Sequence, residues 1–212
     1  MAKRISSSSL PTAAVKATRT KKVPVPALPP PPVRRFAALD FETADYGRDS
    51  ACALSITVVE ADQIVDTWTS LIRPPRRDFV FTYLHGIAWQ HVKDKPVFGE
   101  LWPRVAEILG SVDFIAAHNA AFDRSVIEAC CALAAVESVP KPFVCTVKVA
   151  RAIWGYRPTT LADVCRQLQI PLQHHDAASD ARACAHILLT ARQQGHEYHH
   201  FLKHHALKPR RK

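Results

Sequence analysis

Short apolar segments alternate with segments of helical periodicity through the middle of the chain. Residues 36–42, 112–117 and 143–146 are apolar runs of the kind that form buried strands. Residues 53–60 and 64–72 are rich in Val, Ile and Thr, and the three residues between them predict a β-hairpin. The folded part therefore begins with strands that can pair as neighbours.

Four later segments have the apolar spacing of helices, at residues 100–109, 122–136, 161–168 and 176–194. Gly195 follows the last of them, as glycine commonly does at the end of a helix. A strand hairpin followed by alternating helices and strands indicates an α/β fold, in which helices cover a mixed sheet.

The two ends of the chain differ from the middle in composition. Seven of the sixteen prolines lie within residues 1–35, and such a segment favours extended polyproline conformations over a packed core. We predict a disordered, basic, Pro-rich segment at 1–33, a folded domain at 34–195, and a basic, His-rich helix or tail at 196–212.

The formal net charge of +9 is concentrated in these ends. Residues 1–35 contain eight basic residues and the last ten contain five, and neither segment contains an acid. Residues 36–202 carry 15 basic residues against 19 acids. The folded domain is therefore mildly acidic, which argues against a basic nucleic-acid-binding domain and leaves the two arms as accessory tethers for a polyanion.

Targeting and redox signals point to one compartment. No apolar run of signal-peptide length follows Lys3 and Arg4, and no segment approaches 18 consecutive apolar residues. The six cysteines form no C-x-x-C pair, and several lie within apolar patterns. We therefore expect a cytoplasmic protein with buried, reduced thiols and no membrane partner.

Two acids stand within the first predicted strand. Asp40 and Glu42 are two residues apart, so their side chains point to the same face. Like-charged carboxylates at the edge of a core repel each other and resist the loss of hydration. A divalent cation that prefers oxygen ligands, such as Mg²⁺ or Mn²⁺, resolves both problems. The alternative is that the strand ends near Asp40 and both acids are solvated.

Two further clusters place polar residues at the starts of predicted helices. Asp123 opens the helix at 122–136, a position that equally suits a capping or dipole role. Asp180 lies beside the apolar stripe of the helix at 176–194 and should face the sheet. His175 precedes that helix, and its ordinary pKa of about 6.5 suits a base near neutral pH.

Other candidate residues have simpler interpretations. His174 is one residue out of place for the spacing of His175 to Asp180, so we expect it to be solvated. The late histidines are accompanied by no cysteine or acid that completes a zinc site, and an exposed or packed terminal helix is the preferred interpretation; they are His196, His199, His200, His204 and His205. The four tryptophans lie on no common element, so we expect them in the core or in loops.

Taken together, the clusters form an ordered pattern: Asp40-x-Glu42, then His118-Asn119-x-x-Phe122-Asp123, then His175-x-x-x-x-Asp180. This pattern resembles the DEDDh family of 3′–5′ exonucleases, which includes the proofreading epsilon subunits of DNA polymerases, ribonuclease T and oligoribonuclease. The resemblance covers roughly residues 36–193. It implies a ribonuclease H-like fold, with a central mixed five-stranded sheet flanked by helices.

The resemblance also implies roles for the polar residues. Asp40, Glu42, Asp123 and Asp180 are expected to bind two Mg²⁺ or Mn²⁺ ions, with Asp40 bridging both ions and Asp123 acting through water. His175 is expected to take a proton from the water that attacks the terminal phosphodiester, which releases nucleoside 5′-monophosphates.

The resemblance assigns substrate contacts with less detail. Thr43 follows Glu42 as in the family, although Ala44 and Asp45 replace the glycine-containing turn that is common there. His85 and Ile87 resemble a segment that lines the pocket of the terminal base, with loop packing as the alternative. Asn119 is expected to order its turn and to support the site. The candidate substrate-binding residues are therefore Thr43, His85, Ile87 and Asn119.

Three functions are compatible with the sequence. The first is an exonuclease that acts on single-stranded 3′ ends, with DNA favoured, in proofreading or repair. The second keeps this chemistry and trims RNA 3′ ends. The third is a non-catalytic nucleic-acid-binding module of a DNA polymerase or repair complex, although every expected catalytic position is present. The 2′-hydroxyl distinguishes the two polymers, and no residue here identifies a contact to it.

Overall fold

The computed structural model describes residues 34–204 and 206–207. The predicted disordered segment at 1–33 lies outside these residues, as do residue 205 and residues 208–212 of the predicted C-terminal helix or tail. The domain boundaries at residues 34 and 195 stay predictions.

A mixed sheet forms the centre of the fold, with the strand order β3-β2-β1-β4-β5-β6. Strand β1 is antiparallel to β2 and parallel to β4, and β5 continues the parallel part. The five strands implied by the family resemblance are present, and the two-residue strand β6 extends the sheet by antiparallel pairing with β5. The strands are β1 (Arg35–Thr43), β2 (Ala51–Glu60), β3 (Gln63–Leu71), β4 (Phe114–Ala117), β5 (Phe143–Cys145) and β6 (Ala206–Leu207).

Eight helices connect or cover these strands within the described residues. The four predicted helices correspond to α3, α4, α6 and α7, and α7 is capped by the Asp176 side chain, which accepts from the Ser179 backbone N–H. Helix α5 was not predicted, because Thr146 begins it directly after a three-residue strand. The helices are α1 (Thr82–His85), α2 (Trp89–Val92), α3 (Phe98–Gly110), α4 (Ala121–Leu133), α5 (Thr146–Trp154), α6 (Leu161–Leu168), α7 (Ala177–Gln193) and α8 (Tyr198–His204).

Strand β1 contributes alternate residues to two hydrophobic cores on opposite faces of the sheet. Ala37, Leu39 and Phe41 pack in the core formed with α3 and α4. Phe36 and Ala38 pack in the core formed with α5, α6 and α7. The next even-numbered positions of this strand are Asp40 and Glu42, so both acids belong to the row that faces α7.

The cysteines and tryptophans fulfil structural expectations. All six cysteines are buried and free, as predicted. Trp102 is buried in the core, Trp68 packs against that core, Trp89 joins a smaller cluster, and Trp154 stacks on Tyr156. Among the helices of the described residues, none has both the length and the apolar composition required to cross a membrane.

Candidate active site

Carboxylates from three elements meet at the C-terminal end of β1. Asp40 and Glu42 project from the strand, and Asp180 projects from the first turn of α7. One carboxylate oxygen from each of these three residues lies within 4.8 Å of the others. Asp123, in the first turn of α4, is 2% exposed and accepts a hydrogen bond of 3.3 Å from the backbone N–H of Phe41. That bond fastens Asp123 to the residue between the two strand acids.

Asp180 has two oxygens in different environments. The residue is only 4% exposed. Its Oδ2 accepts from the backbone N–H of His175 at 3.2 Å and lies 3.1 Å from Nδ1 of His174. Its Oδ1 is buried and has no hydrogen-bond partner among the described residues. An unpaired buried oxygen costs free energy, so this atom calls for a ligand from outside the chain.

The cluster favours protonated carboxyls in the absence of a cation. Burial raises the pKa of Glu42 to about 8, and the neighbouring Asp180 and Asp123 charges add to the shift. Burial also raises the pKa of Asp123 to about 7. The pKa of Asp40 is raised by burial and then by the Asp123 and Glu42 charges. Burial raises the pKa of Asp180, while the nearby His174 partly opposes that effect.

This donor set fits divalent cations. Carboxylate oxygens are the ligands that hard divalent ions take, and the members of the DEDDh group resembled here use such ions. The orphaned Oδ1 of Asp180 and the mutual repulsion of the acids are two independent signs that positive charge is missing from the protein itself. Asp40, Glu42 and Asp180 are placed to hold a cation directly, and the charge of Asp123 acts on Asp40 and Glu42.

His175 lies beside this group, at the turn that precedes α7. Its backbone has a φ of 66°, in the left-handed region. Burial and the neighbouring His174 lower its pKa, so the imidazole is neutral near pH 7 and has a free nitrogen lone pair. The structure therefore brings together all five residues of the expected catalytic set.

His174 differs from its predicted role as a purely solvated residue. It is exposed, yet its ring stacks on that of His175 with the centroids 3.9 Å apart, and its Nδ1 reaches Asp180 Oδ2. The expectation rested on spacing along a regular element, whereas the left-handed backbone at His175 reverses the chain and brings both rings to Asp180.

A cavity of about 420 Å³ opens over the carboxylates. Thr43 and His85 line it, and their contact with a substrate stays a prediction. Nδ1 of His85 accepts from the Ile87 backbone N–H at 3.1 Å, so its Nε2 donates to the Thr43 carbonyl at 3.2 Å. This bridge ties one wall of the cavity to the end of β1. The rest of the lining is mainly apolar and includes Phe41, Phe81, Leu84, Phe122 and Leu161.

Two candidate substrate-binding residues do not line this cavity. Ile87 packs against the small cluster of Ala44, Cys52 and Val92, which matches the loop-packing alternative. Asn119 is exposed and has a φ of 64°, and its carbonyl accepts from the Phe122 backbone N–H at 2.8 Å. Asn119 therefore shapes the turn into α4 through its backbone, and contact of either residue with a substrate stays a prediction.

His118 is a lining residue to which the sequence alone gave no role. Its Nε2 donates to the Thr159 carbonyl at 3.0 Å, and its Nδ1 is paired with the Thr146 hydroxyl at 2.8 Å. Burial lowers its pKa to about 4, so it is a neutral strut between β4 and the segment before α6. Its position directly before Asn119 in the ordered motif was the available signal.

The chain matches known exonucleases over most of its described length. A family model for the RNase_T exonuclease family matches residues 37–188, which is well over half of the chain. The PolC-type DNA polymerase III of Thermotoga maritima is 29% identical over 160 residues, which are 73% of this chain and 12% of that protein. Exodeoxyribonuclease 10 of Escherichia coli K12 is 29% identical over 158 residues, which are 71% of this chain and 66% of that protein.

A solved structure agrees in fold. The nuclease domain of 3′hExo, a DEDDh family member bound to rAMP, superposes with a TM-score of 0.69 at 15% identity, covering 84% of this chain and 98% of that one. The chain spans only a small part of the PolC-type relatives, so the family and the fold are what these comparisons establish. The fold is similar to that of a DEDDh family member, and the chain belongs to the RNase_T exonuclease family.

Proposed function

We propose that the protein is a two-metal-dependent 3′–5′ exonuclease that releases nucleoside 5′-monophosphates from single-stranded 3′ ends, with DNA favoured. One observation carries the proposal: three carboxylates with oxygens within 4.8 Å of one another lie beneath a cavity, and one of them has a buried oxygen without a partner. A site of this kind is stabilised by cations and by the phosphate that they attract.

The residues divide the chemistry between them. Asp40, Glu42 and Asp180 would hold Mg²⁺ or Mn²⁺, and Asp123, whose charge acts on Asp40 and Glu42, would complete the acidic set through water. Bound cations of this type lower the pKa of an attacking water and stabilise a leaving 3′ oxygen. His175, neutral near pH 7 and lining the cavity, accepts the proton of that water at a ring nitrogen.

The cavity and its rim are suited to an unpaired nucleotide. Tyr46 and Tyr83 are each 78% exposed, and the Tyr46 ring lies edge-on to Phe81, a lining residue, with centroids 5.0 Å apart. Exposed aromatic rings stack on bases that are free of a partner strand. The names of two relatives, a DNA polymerase and an exodeoxyribonuclease, support DNA as the polymer.

The biological setting follows from the same relatives. Similarity to a PolC-type polymerase supports action in a DNA polymerase or repair complex, in which the basic ends of the chain tether the catalytic domain to nucleic acid. RNA trimming and a non-catalytic binding role are the outcomes against which this proposal is tested.

The decisive experiment compares Asp40→Asn and His175→Ala with the wild-type chain on 5′-labelled DNA and RNA oligomers of one sequence, single-stranded and duplex, in Mg²⁺. We expect the wild type to shorten single-stranded DNA from its 3′ end and EDTA to stop the reaction. The loss of a general base lowers the rate by about 10² to 10⁴-fold in His175→Ala, and Asp40→Asn loses at least as much.

The matched controls are Asp66→Asn and His200→Ala, since both residues are exposed and far along the chain from the cluster. Both should retain the wild-type rate. An unchanged ladder in Asp40→Asn refutes the active-site assignment. Faster shortening of RNA selects the exoribonuclease alternative, and oligomer binding without any product selects the non-catalytic module.

A second experiment tests the single-strand preference. Truncation of Tyr46 to Ala should raise KM for a single-stranded oligomer by about 5 to 150-fold while kcat changes little, because stacking on one aromatic ring contributes about 1–3 kcal/mol. Tyr46→Phe keeps the ring and should behave as wild type. Equal KM values for all three proteins would show that the rim does not contact the substrate.

A further inference from the structure

The active-site cluster has a nitrogen-rich edge of two histidines, of which the proposed exonuclease reaction uses only one. His174 and His175 form a stacked pair beside Asp180, and the structure places one ligand atom from each of these three residues within 4.8 Å of the others. His174 has no role in the proposed chemistry. Its Nδ1 nevertheless points at a carboxylate oxygen of a residue that is almost completely buried.

The separation of these atoms matches the spacing of ligands on a small ion. Nδ1 of His174 lies 3.1 Å from Oδ2 of Asp180. Two ligands that each lie about 2.0–2.1 Å from a tetrahedral ion are about 3.3 Å apart. A cation can therefore take the place of the proton between these two atoms after a shift of a few tenths of an ångström. The nearest nitrogen of His175 lies within 4.8 Å of both atoms, and a rotation of its ring out of the stack on His174 would bring it to a third bond.

The donor types select the kind of ion. Two imidazole nitrogens and one carboxylate suit borderline transition ions such as Zn²⁺, whereas Mg²⁺ prefers oxygen ligands. The neighbouring group of Asp40, Glu42 and Asp180 offers oxygen alone. Asp180 belongs to both groups, and its unpartnered buried Oδ1 leaves it with an unused ligand atom.

We propose that His174, His175 and Asp180 form a second cation site that is selective for transition ions such as Zn²⁺. An ion bound at this site prevents catalysis. A transition ion there engages the ring nitrogen with which His175 accepts its proton, and it also draws Asp180 away from the oxygen-only group. Occupancy of the site therefore inhibits the enzyme. The binding stands on the geometry of these three residues, whereas the inhibition rests on the proposed nuclease function.

Binding is measured without reference to activity. The full chain is stripped of metal and titrated with Zn²⁺ against a chromophoric chelator in excess Mg²⁺, and Co²⁺ is used in parallel as an absorbing probe. We expect one ion per chain that resists Mg²⁺. His174→Gln should weaken Zn²⁺ binding at least about 10-fold, since even the loss of an outer-shell partner costs about that much. Equal affinity of His174→Gln and wild type overturns the proposal.

Two further variants distinguish the loss of a ligand from damage to the fold and from binding elsewhere in the chain. His174→Cys should restore Zn²⁺ binding and give Co²⁺ a thiolate charge-transfer band, because a thiolate is a good zinc ligand, and structural damage at this position predicts no such rescue. The double variant His199→Gln/His200→Gln tests the C-terminal histidines and should bind Zn²⁺ as the wild type does. Loss of binding in that variant alone overturns the assignment to His174.

The inhibitory consequence is measured last. Each protein is assayed in Mg²⁺ on a single-stranded oligomer, and its rate in Zn²⁺ is normalised to its own rate without Zn²⁺. The Zn²⁺ concentration for half-inhibition should rise at least about 10-fold in His174→Gln. An unchanged value, with Zn²⁺ binding lost, overturns the inhibitory role. A protein with no nuclease activity but intact Zn²⁺ binding refutes only the proposed function.

Discussion

Two pairs of acidic residues follow each other along the chain, and their pKa values are shifted in opposite directions. Asp40 and Glu42 end strand β1, and Asp45 and Asp49 lie in the loop that follows. The first pair lies among other carboxylates, and its pKa values are raised. The second pair is neutralised from within the protein, and its pKa values are lowered.

Arg76 supplies the charge for the loop pair. Its Nε donates to Asp45 Oδ2 at 2.9 Å, and its Nη1 and Nη2 donate to the two oxygens of Asp49 at 2.8 and 2.6 Å. Asp45 also accepts from the Gly47 backbone N–H at 2.6 Å. Every oxygen of this pair has a donor, so the loop requires nothing from outside the chain.

These two pairs show that the number of acids is a poor sign of a metal site. The distinguishing property is the missing counter-charge. Where the chain supplies its own cation, acids stabilise the fold, and where it supplies none, they destabilise the metal-free fold and leave a place for a ligand.

Neutralising one acid in each pair should change activity and stability the most. Glu42→Gln should lower exonuclease activity by about 10² to 10³-fold, as expected for loss of an electrostatic group at a reaction centre, and it should raise the free energy of unfolding in EDTA. Asp49→Asn should keep the activity and lower the free energy of unfolding by about 1 kcal/mol, a value discounted because Arg76 is partly exposed.

Urea unfolding in EDTA and oligomer cleavage in Mg²⁺ measure these two effects on the same four samples: wild type, each single variant and the double variant. The two stability changes should have opposite signs. A loss of stability in Glu42→Gln would contradict the view that its environment opposes its charge.

The next effect is a dependence of stability on pH in the metal-free protein. A raised folded pKa means that the native state binds more protons than the unfolded chain between the two pKa values, so stability falls as the pH rises. For Glu42 this window runs from its ordinary value of 4.5 to about 8. Buried neutral histidines such as His118 change the stability only below about pH 6.5, between their lowered and ordinary pKa values. The part of the Glu42 window above about pH 6.5 is therefore free of their effect.

We therefore expect the free energy of unfolding in EDTA to fall between about pH 6.5 and 8, and to fall less in Glu42→Gln. Saturating Mn²⁺ should flatten the dependence, because a cation favours the ionised carboxyls. The loop pair should contribute no slope in this window, since its lowered pKa values place its loss of stability in acid. Stability that stays constant in EDTA would contradict this prediction.

The smallest change in stability concerns Gly47, which lies beside the ion pairs of Arg76 with Asp45 and Asp49, here called the Arg76 clamp. A Cβ at Gly47 would contact Nη2 of Arg76 and the oxygens of both loop acids. Gly47→Ala should therefore weaken the clamp and lower the free energy of unfolding by about 1 kcal/mol, as for the loss of a partly exposed ion pair.

Gly110→Ala is the matched control for that change. Gly110 ends α3, and a Cβ there meets nothing within 4 Å. This substitution should raise stability by about 0.5–1 kcal/mol, because alanine loses less entropy than glycine in a helix. Thermal unfolding compares the two variants. A stabilised Gly47→Ala variant would mean that the clamp contributes nothing.

The fold was largely predictable because most of its strands and helices have a hydrophobic pattern that is typical of only one kind of secondary structure. The even and odd positions of β1 are both apolar up to Asp40, as a strand between two cores requires. Helix α5 was missed for the opposite reason. It is rich in β-branched residues, such as Thr146, Val147 and Val149, and it follows β5 without a turn, so local propensity favours strand where tertiary packing imposes helix.

The acids of the candidate site were predictable from order and spacing, and their surroundings were not. The Arg76 clamp joins residues 27 and 31 positions apart, and no local pattern indicates it. The contact of His174 with Asp180 depends on a left-handed residue that is not glycine. Asp123 lies beside the strand acids, and its bond to the Phe41 backbone requires the register of β1 against α4.

The alternation of β1 between two cores has a consequence for insertions and deletions. A strand has two faces, and Asp40 and Glu42 share the even-numbered face with Phe36 and Ala38. Loss or gain of a single residue between Phe36 and Asp40 moves both carboxylates to the face of the sheet that packs against α3 and α4. All residues of the site are still present in such a variant. Only insertions or deletions of two residues keep the acids on their face of this strand. The hairpin turn at residues 61–62 can change length without moving the acids.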